Sequence, residues 1–264
     1  MAEEQLRVGT FNVRVITSDD TGENAWEKRK SRVVNAINEC DFDVFGLNEC
    51  STATQSYLSA QLKNSYNIQF FSPYAQNGTG NKAQGLAYRK GWSLSDWHYF
   101  WLSDTPDVMT TNDGAMNRGG CCGILSKDGT DLKVFVMVTH GALSAETRSQ
   151  YAELYEQMEK KYNPGGYPSF FVGDMNSKPS GAASVVYRRY WSDAYYAVGE
   201  AGRSGPAATY NGWDLELDLY SSDSRIDYIY YRGATPLSYV CSDTRYGGCY
   251  PSDHLPVYAD FRIE

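Results

Sequence analysis

Ser169-Phe170-Phe171-Val172-Gly173-Asp174-Met175-Asn176 sets a short apolar run directly against a glycine, a carboxylate and an amide. A continuous apolar run of this length is the pattern of a strand buried on both faces. Gly173 breaks it, so Asp174 and Asn176 emerge at its end. The arrangement recurs along the chain in both directions. Leu132-Lys133-Val134-Phe135-Val136-Met137-Val138-Thr139-His140 reads as a strand carrying His140 at its end. Asp43-Val44-Phe45-Gly46-Leu47 is another, delivering Glu49 just past it, and residues 6–13 end in Asn12 and Arg14. Towards the C-terminus, residues 224–231 contain Arg225-Ile226-Asp227-Tyr228-Ile229, and the strand over 255–263 follows Ser252-Asp253-His254. Placing reactive groups at the ends of rigid strands is how enzymes fix their geometry.

Helical spacing fills the gaps. Trp26, Val33, Val34 and Ile37 recur on one face over residues 26–39, with Lys28, Arg29, Lys30 and Arg32 between them as a solvated face. Tyr57, Leu58 and Leu62 mark a short helix. Ser144 is the N-cap of a longer one with a stripe of Tyr151, Leu154, Tyr155 and Met158, ended by Asn163-Pro164-Gly165-Gly166. A further short helix is expected over 180–190, a strand over 85–89, and loops over 75–82 and 102–120. Strands and helices mix without a repeat or linker, which predicts one α/β domain over residues 1–264, its sheets covered by helices.

Composition narrows the classes. With 42% hydrophobic and 21% charged residues in 264, the chain has the apolar content of an ordinary globular core. No apolar run approaches the roughly 20 residues needed to cross a bilayer. The absence of an apolar leader leaves two compartments open, cytoplasmic or a mature exported form lacking its signal peptide. A net charge of -8 disfavours non-specific nucleic-acid binding, which needs clustered Lys and Arg, although a bound cation would change the local balance. The six cysteines form no C-x-x-C pair, and only three histidines exist, so a zinc finger is excluded. Cys241 and Cys249 flank a polar turn and read equally as a disulfide or as free buried thiols. A monomer is expected.

The strand-end residues Asn12, Glu49, His140, Asp174, Asn176, Asp227, Asp253 and His254 make an oxygen-rich set. Such donors suit hard cations, Mg²⁺ or Mn²⁺, rather than zinc. Phosphoryl transfer develops charge on oxygens that a metal and nearby donors stabilise, so a phosphate ester is the expected substrate. Asp227 is placed to orient an imidazole.

Taken together, Thr10-Phe11-Asn12-Val13, Leu47-Asn48-Glu49, Thr139-His140, Gly173-Asp174-Met175-Asn176, Arg225-Ile226-Asp227-Tyr228-Ile229 and Ser252-Asp253-His254 resemble, in order, the motifs of the endonuclease/exonuclease/phosphatase family, the DNase I-like superfamily. The resemblance spans nearly the whole chain. It implies a four-layer α/β sandwich, two packed mixed β-sheets flanked by helices, with the site at one edge. It implies Glu49 as principal metal ligand with Asn12 and Asp253, and Asp174 positioning or deprotonating the attacking water. Asn176 and His140 would contact the phosphate, and His254, held by Asp227, would act as general base or protonated donor. The family often has Gln before the metal-binding Glu, where this chain has Asn48; it often has Glu where Gln84-Gly85 stand here, a change expected to shift metal or substrate preference. Tyr88 and Arg89 are expected to border the site.

Each residue has a plainer explanation. An Asp after a strand usually caps a turn, and a lone histidine usually packs; His98, among Trp97, Tyr99, Phe100 and Trp101, is read as packing. Most of the 22 tyrosines must also pack. Trp213, shortly before Asp227, is the candidate substrate-loop aromatic. A small phosphorylated molecule or lipid headgroup is preferred over the alternative, DNA or RNA cut by an endo- or exonuclease. A glycoside hydrolase using Glu49 and Asp174 as paired carboxylates is the rival class. It leaves Ser252-Asp253-His254 without a role, and a non-catalytic sugar-binding module would not need the motifs at all.

Overall fold

The structure, a computed structural model, describes residues 4–114 and 116–263. The N-terminal third holds β1 (Glu4–Asn12), α1 (Trp26–Cys40), β2 (Val44–Cys50), α2 (Thr52–Leu62), β3 (Tyr66–Phe71), β4 (Ala83–Arg89) and β5 (Trp92–Trp101). Next come β6 (Thr111–Asp113), β7 (Met116–Asn117), β8 (Gly119–Lys127), β9 (Lys133–His140), α3 (Ala145–Gln150), α4 (Leu154–Tyr162) and β10 (Ser169–Asp174). The chain ends with α5 (Ala182–Tyr190), β11 (Ser192–Asp193), α6 (Ala194–Ala197), β12 (Arg203–Ser204), β13 (Asp227–Arg232), β14 (Thr235–Cys241) and β15 (Val257–Ile263).

Two mixed sheets face each other, one of seven strands in the order β12-β14-β15-β1-β2-β4-β3 and one of six in the order β11-β13-β10-β9-β8-β5. Successive side chains of a strand point to opposite faces. In β1, β2, β9 and β10 the even-numbered positions therefore face the other sheet: Val8, Val44, Val136, Val138, Phe170 and Val172 form the core between the sheets. Odd-numbered Phe45 and Leu47 turn outward to meet Val33 and Ile37 of α1 and Leu58 and Leu62 of α2. On the other side, Phe135, Met137 and Phe171 meet Tyr155 and Met158 of α4 and Tyr187 of α5. The layers are thus helix, sheet, sheet, helix. Each such buried side chain contributes on the order of 1.5–3 kcal/mol. The sheets pack so closely at Gly46 that a Cβ there would lie 2.9 Å from both Val138 and Val172.

Local departures from the sequence reading have physical causes. The helix expected from Ser144 is two helices. Tyr151 leaves helical geometry, and the tighter Ala152-to-Ser149 and Leu154-to-Tyr151 hydrogen bonds re-aim the chain before α4. The loop expected over 102–120 contains the hairpin of β6 and β7 and the first residues of β8. The glycines of β8, Gly119, Gly120 and Gly123, hide it from a reading based on apolar side chains. All six cysteines are free thiols, with Cys241 closing β14 and Cys249 bridged to Tyr246. His98 stacks on Tyr162 with ring centroids 4.1 Å apart, a packing role. Among the described residues no helix is long and apolar enough to cross a membrane.

Candidate active site

The parity that builds the core also builds the site. At the last turn of each strand the even-numbered, inward-facing positions become polar: Asn12 in β1, Asn48 in β2, His140 in β9 and Asp174 in β10. β1 runs parallel to β2, and β9 parallel to β10, so these ends share one edge of the sandwich. β13 is antiparallel to β10, with Asp227 opposite Asp174, so there it is the start of a strand that reaches the same edge. β15 is antiparallel to β1, with Val257 opposite Thr10, and the segment before it brings Asp253 and His254 there.

Asp174 is the hub. Its Oδ2 lies 3.3 Å from His140 Nε2, 3.7 Å from His254 Nε2 and 3.0 Å from the Asn12 amide nitrogen. The Asn176 backbone N–H donates to its Oδ1 at 2.8 Å. Glu49, in left-handed backbone geometry at φ 62°, turns Oε1 to within 3.8 Å of His140 Nε2 and accepts the Val15 N–H on Oε2 at 2.9 Å. The Asn12 oxygen accepts the Arg14 N–H, so in this arrangement its NH₂ faces the carboxylates of Glu49 and Asp174. His254 Nδ1 meets Asp227 Oδ2 at 2.9 Å, and Thr209 Oγ1 donates to the same oxygen at 2.7 Å while accepting the Asp227 N–H.

Second contacts make this rigid. Buried Asn48 donates to Thr139 O at 2.8 Å and accepts the Asp174 N–H at 3.0 Å, tying the end of one sheet to the other. Ser252 Oγ donates to Asn12 O at 2.7 Å, and Asn176 Nδ2 to Gly141 O at 2.9 Å. Asp253 lies 3.5 Å from Arg14 Nη1, a contact that draws it to the rim of the cluster.

Electrostatics follow from this crowding. Burial opposes the charge on His254, but Asp227, Asp174 and Asp253 outweigh it and hold the imidazole well above its ordinary range. Burial also opposes ionisation of Asp174, yet His254, His140 and the Asn176 N–H pull its carboxyl well below the usual range. Burial raises Asp227 and Asp253.

The cluster opens into a cavity of about 390 Å³ whose lining includes Glu49, His140, Asp174, Asn176, Asp253 and His254. Asn12 and Asp227 stand behind these, hydrogen-bonded to them. Tyr88 and Arg89 are elsewhere. β4 runs antiparallel to β2, so its start lies beside Glu49, while Arg89 sits at the far end against Asp41 and Asp43. Trp213 is also outside the cavity, half-buried with the Arg29 guanidinium 5.5 Å from its ring. In their places the cavity has Lys82, just before β4, Gln84 near its start, and Tyr210, whose ring edges on His254 at 5.0 Å. Arg14, Tyr74 and Arg118 line it as well. Tyr210 lies three residues before Trp213, in the same segment that the sequence singles out. Thr209 and Asn48 act through hydrogen bonds to residues distant in sequence, which no local pattern reveals.

Oxygen and nitrogen ligand atoms of Glu49, His140 and Asp174 all lie within 4.8 Å of one another, and so do those of Asp174, Asp227 and His254. The first group fits a small hard cation, because the one hydrogen bond to Glu49 Oε1 among the described residues is the long 3.3 Å amide contact from Asn12, and Asp174 already collects donors as an anion does. In the second group both Asp227 Oδ2 and His254 Nδ1 are committed to each other.

A model of the endonuclease/exonuclease/phosphatase family matches residues 9–254. A search of curated proteins gave no match. Among solved structures, an endonuclease/exonuclease/phosphatase family protein from Bacteroides thetaiotaomicron superposes with a TM-score of 0.90 at 21% identity, covering 100% of both chains. A mannosyl-6-phosphatase from the same species gives 0.85 at 22% identity over 97% of this chain and 99% of that one. D. rerio TDP2 complexed with a single-strand DNA product gives 0.73 at 19% identity over 97% and 98%.

Proposed function

The chain belongs to the endonuclease/exonuclease/phosphatase family, whose members hydrolyse phosphate esters, and from that premise we propose that it is a Mg²⁺- or Mn²⁺-dependent phosphatase of small phosphomonoesters. The observation that carries this reading is Asp174 standing between a group fit for a cation, Glu49 with His140, and an aspartate-held histidine, Asp227 with His254. Glu49, with Asp174 and His140 beside it, would hold the metal, and Asp253 would flank it. When bound, that cation would offset charge on the phosphoryl oxygens.

The protein's own groups do the rest. Asp174, kept ionised by its donors, accepts a hydrogen bond from the attacking water and draws its proton. Asn176 donates to a phosphoryl oxygen, while His140 stays with the cation group. Asp227 fixes His254 with Nδ1–H inward and Nε2 toward the cavity, and the raised affinity of that imidazole for a proton makes it a donor to the leaving oxygen or the transition state. Water attack then releases phosphate and the alcohol.

A compact cavity and a net charge of -8 support a small substrate over a polynucleotide, and the sugar phosphatase among the structural neighbours is in keeping with that. Nuclease activity is the second reading, motivated by the neighbour carrying a DNA product. Hydrolysis of p-nitrophenyl phosphate by the Mg²⁺-loaded protein is expected to exceed that of bis-p-nitrophenyl phosphate and to stop with EDTA. Turnover unchanged by EDTA would sink the metal assignment, and faster turnover of the diester would favour the nuclease reading. Cleavage of p-nitrophenyl glycosides would revive the rival class.

A further inference from the structure

The site is laid out in ranks along the two facing sheets. Asp227 of β13 meets His254, just before β15; Asp174 of β10 meets Asn12 of β1; His140 of β9 meets Glu49 of β2. β8 and β4 form the next rank in the same strand orders, joined where Gln84 Nε2 donates to Gly119 O at 3.0 Å. The residues immediately before those two strands are Arg118 and Lys82, and both line the cavity. The row thus runs from an aspartate-held imidazole, through the group fit for a cation, to two basic side chains that have no part in the mechanism above.

Both cations are held in place with charge to spare. Arg118 Nε meets Asp113 Oδ2 at 3.0 Å, and its Nη2 lies 3.3 Å from the Met116 sulfur. Asp113 also accepts the Leu143 and Ser144 N–H groups at 2.7 and 2.9 Å, so its charge is shared among three donors. Arg118 Nη1 has no hydrogen-bond partner among the described residues, yet it is not one of the atoms sealed from solvent without one, and its side chain lines the cavity. Lys82 forms no ion pair among the described residues, and its Nζ lies 5.8 Å from the Tyr74 ring centroid. Tyr74 brings the two together, because the side-chain amide of Asn117, next to Arg118, donates to Pro73 O at 3.0 Å. Lys82 also keeps left-handed backbone geometry at φ 50°, as do Arg14, Glu49 and Asn176 in the same cavity. Such geometry is costly for a residue with a Cβ and concentrates where function requires it.

The scissile phosphate already has Asn176 and His254 as donors beside the cation group. With the attacking water at Asp174, in-line displacement sets the leaving oxygen on the other side of the phosphorus, past Glu49 and His140 and toward Lys82 and Arg118. That leaves His254 to the transition state rather than to the leaving oxygen. An ammonium and a guanidinium with unspent donors suit a phosphate, whose oxygens accept several charge-assisted hydrogen bonds. Resting on the phosphomonoesterase reading above, we propose that Lys82 and Arg118 form an anion subsite for a second phosphate on the leaving group, carried either by a small bisphosphate or by the next link of a nucleotide strand.

The test measures kcat/KM for phosphate release, with Mg²⁺, in the wild type, K82M and R118M. Three pairs serve: adenosine 3′,5′-bisphosphate against the two adenosine monophosphates, butane-1,4-diol bisphosphate against its monophosphate, and a 5′-phosphorylated thymidine dinucleotide against thymidine 5′-monophosphate. The wild type is expected to favour a doubly phosphorylated member over its own monophosphate by at least about tenfold, and K82M to shrink that ratio about tenfold, chiefly through KM. A preference shown by the free bisphosphates supports the subsite with a small substrate, and one confined to the dinucleotide supports it with a strand. Circular dichroism melts establish that each variant is folded, and R118M carries the same comparison if K82M does not fold. Equal losses on both members of a pair would overturn the subsite, because a cation serving the scissile phosphate or the fold affects every substrate alike. Robust, EDTA-sensitive turnover of the monophosphates with no preference in any pair would overturn the subsite and leave the phosphatase reading standing. No hydrolysis of any monoester would bring down both.

Discussion

Asp174 answers to several partners at once. Its Oδ2 is shared by His140, His254 and Asn12, so replacing it removes a negative charge that several donors were arranged to meet. Asp174→Asn keeps the shape and should lower kcat by about a thousandfold or more while the melting temperature stays within a few degrees, read by steady-state assay beside a thermal melt. Near-normal turnover would remove Asp174 from the mechanism. Thr209 acts one step back, holding Asp227 Oδ2 at 2.7 Å, and Asp227 holds His254. Thr209→Val should therefore lower kcat by roughly 10–100-fold and leave KM nearly unchanged, the signature of a misaligned imidazole. A change confined to KM would contradict that role.

At the scale of elements, the ends of the strands are tied to one another more tightly than a surface edge requires. Gly173 in β10 has φ 140°, and a Cβ there would lie 2.0 Å from Thr139 O of β9. Gly173→Ala must push the two parallel strands apart where His140 and Asp174 pair, and should shift the urea midpoint down by the equivalent of about 2–4 kcal/mol. Asn48 is the matching tie between sheets. Asn48→Leu would strand the buried Asp174 N–H and Thr139 O at roughly 1–3 kcal/mol each and lower kcat as well, because Asp174 loses its anchor. Stability loss with full turnover would show the tie to be structural only.

For the whole molecule, the core between the sheets draws on strands from both ends of the sequence, with β1 paired to β15 and Phe170 packed on Phe261 at 4.9 Å. Residues 1–264 are accordingly expected to unfold as one cooperative unit, and two resolved calorimetric transitions would argue for separate domains. Glu49, Asp174 and Asp253 crowd one edge of that unit. Mg²⁺ should raise the melting temperature, with about 2.7 kcal/mol of stabilisation expected at a hundredfold excess over Kd, and EDTA should return it to the metal-free value. Asp174→Asn and a Glu49→Gln variant should each blunt the shift.

Much of this was written locally. A strand buried on both faces must be apolar throughout, so the point where Phe170-Phe171-Val172 gives way to Asp174 is visible without any partner, and the same holds for His140, Glu49 and Asn12. The family motifs, the layered α/β class and the oxygen-rich chemistry follow from those transitions. Strand direction is another matter. Sequence periodicity reports which face a residue takes and says nothing of which way its strand runs against a neighbour. The family resemblance points to Tyr88 and Arg89, at the end of β4, whereas the antiparallel pairing of β4 with β2 puts Gln84 at the site. Thr209, Asn48 and Arg118 gained their places only when chain segments far apart in sequence were packed together. The composition of the reactive set is thus a local property of strand ends, whereas the cavity that would choose a substrate exists only once two sheets face each other.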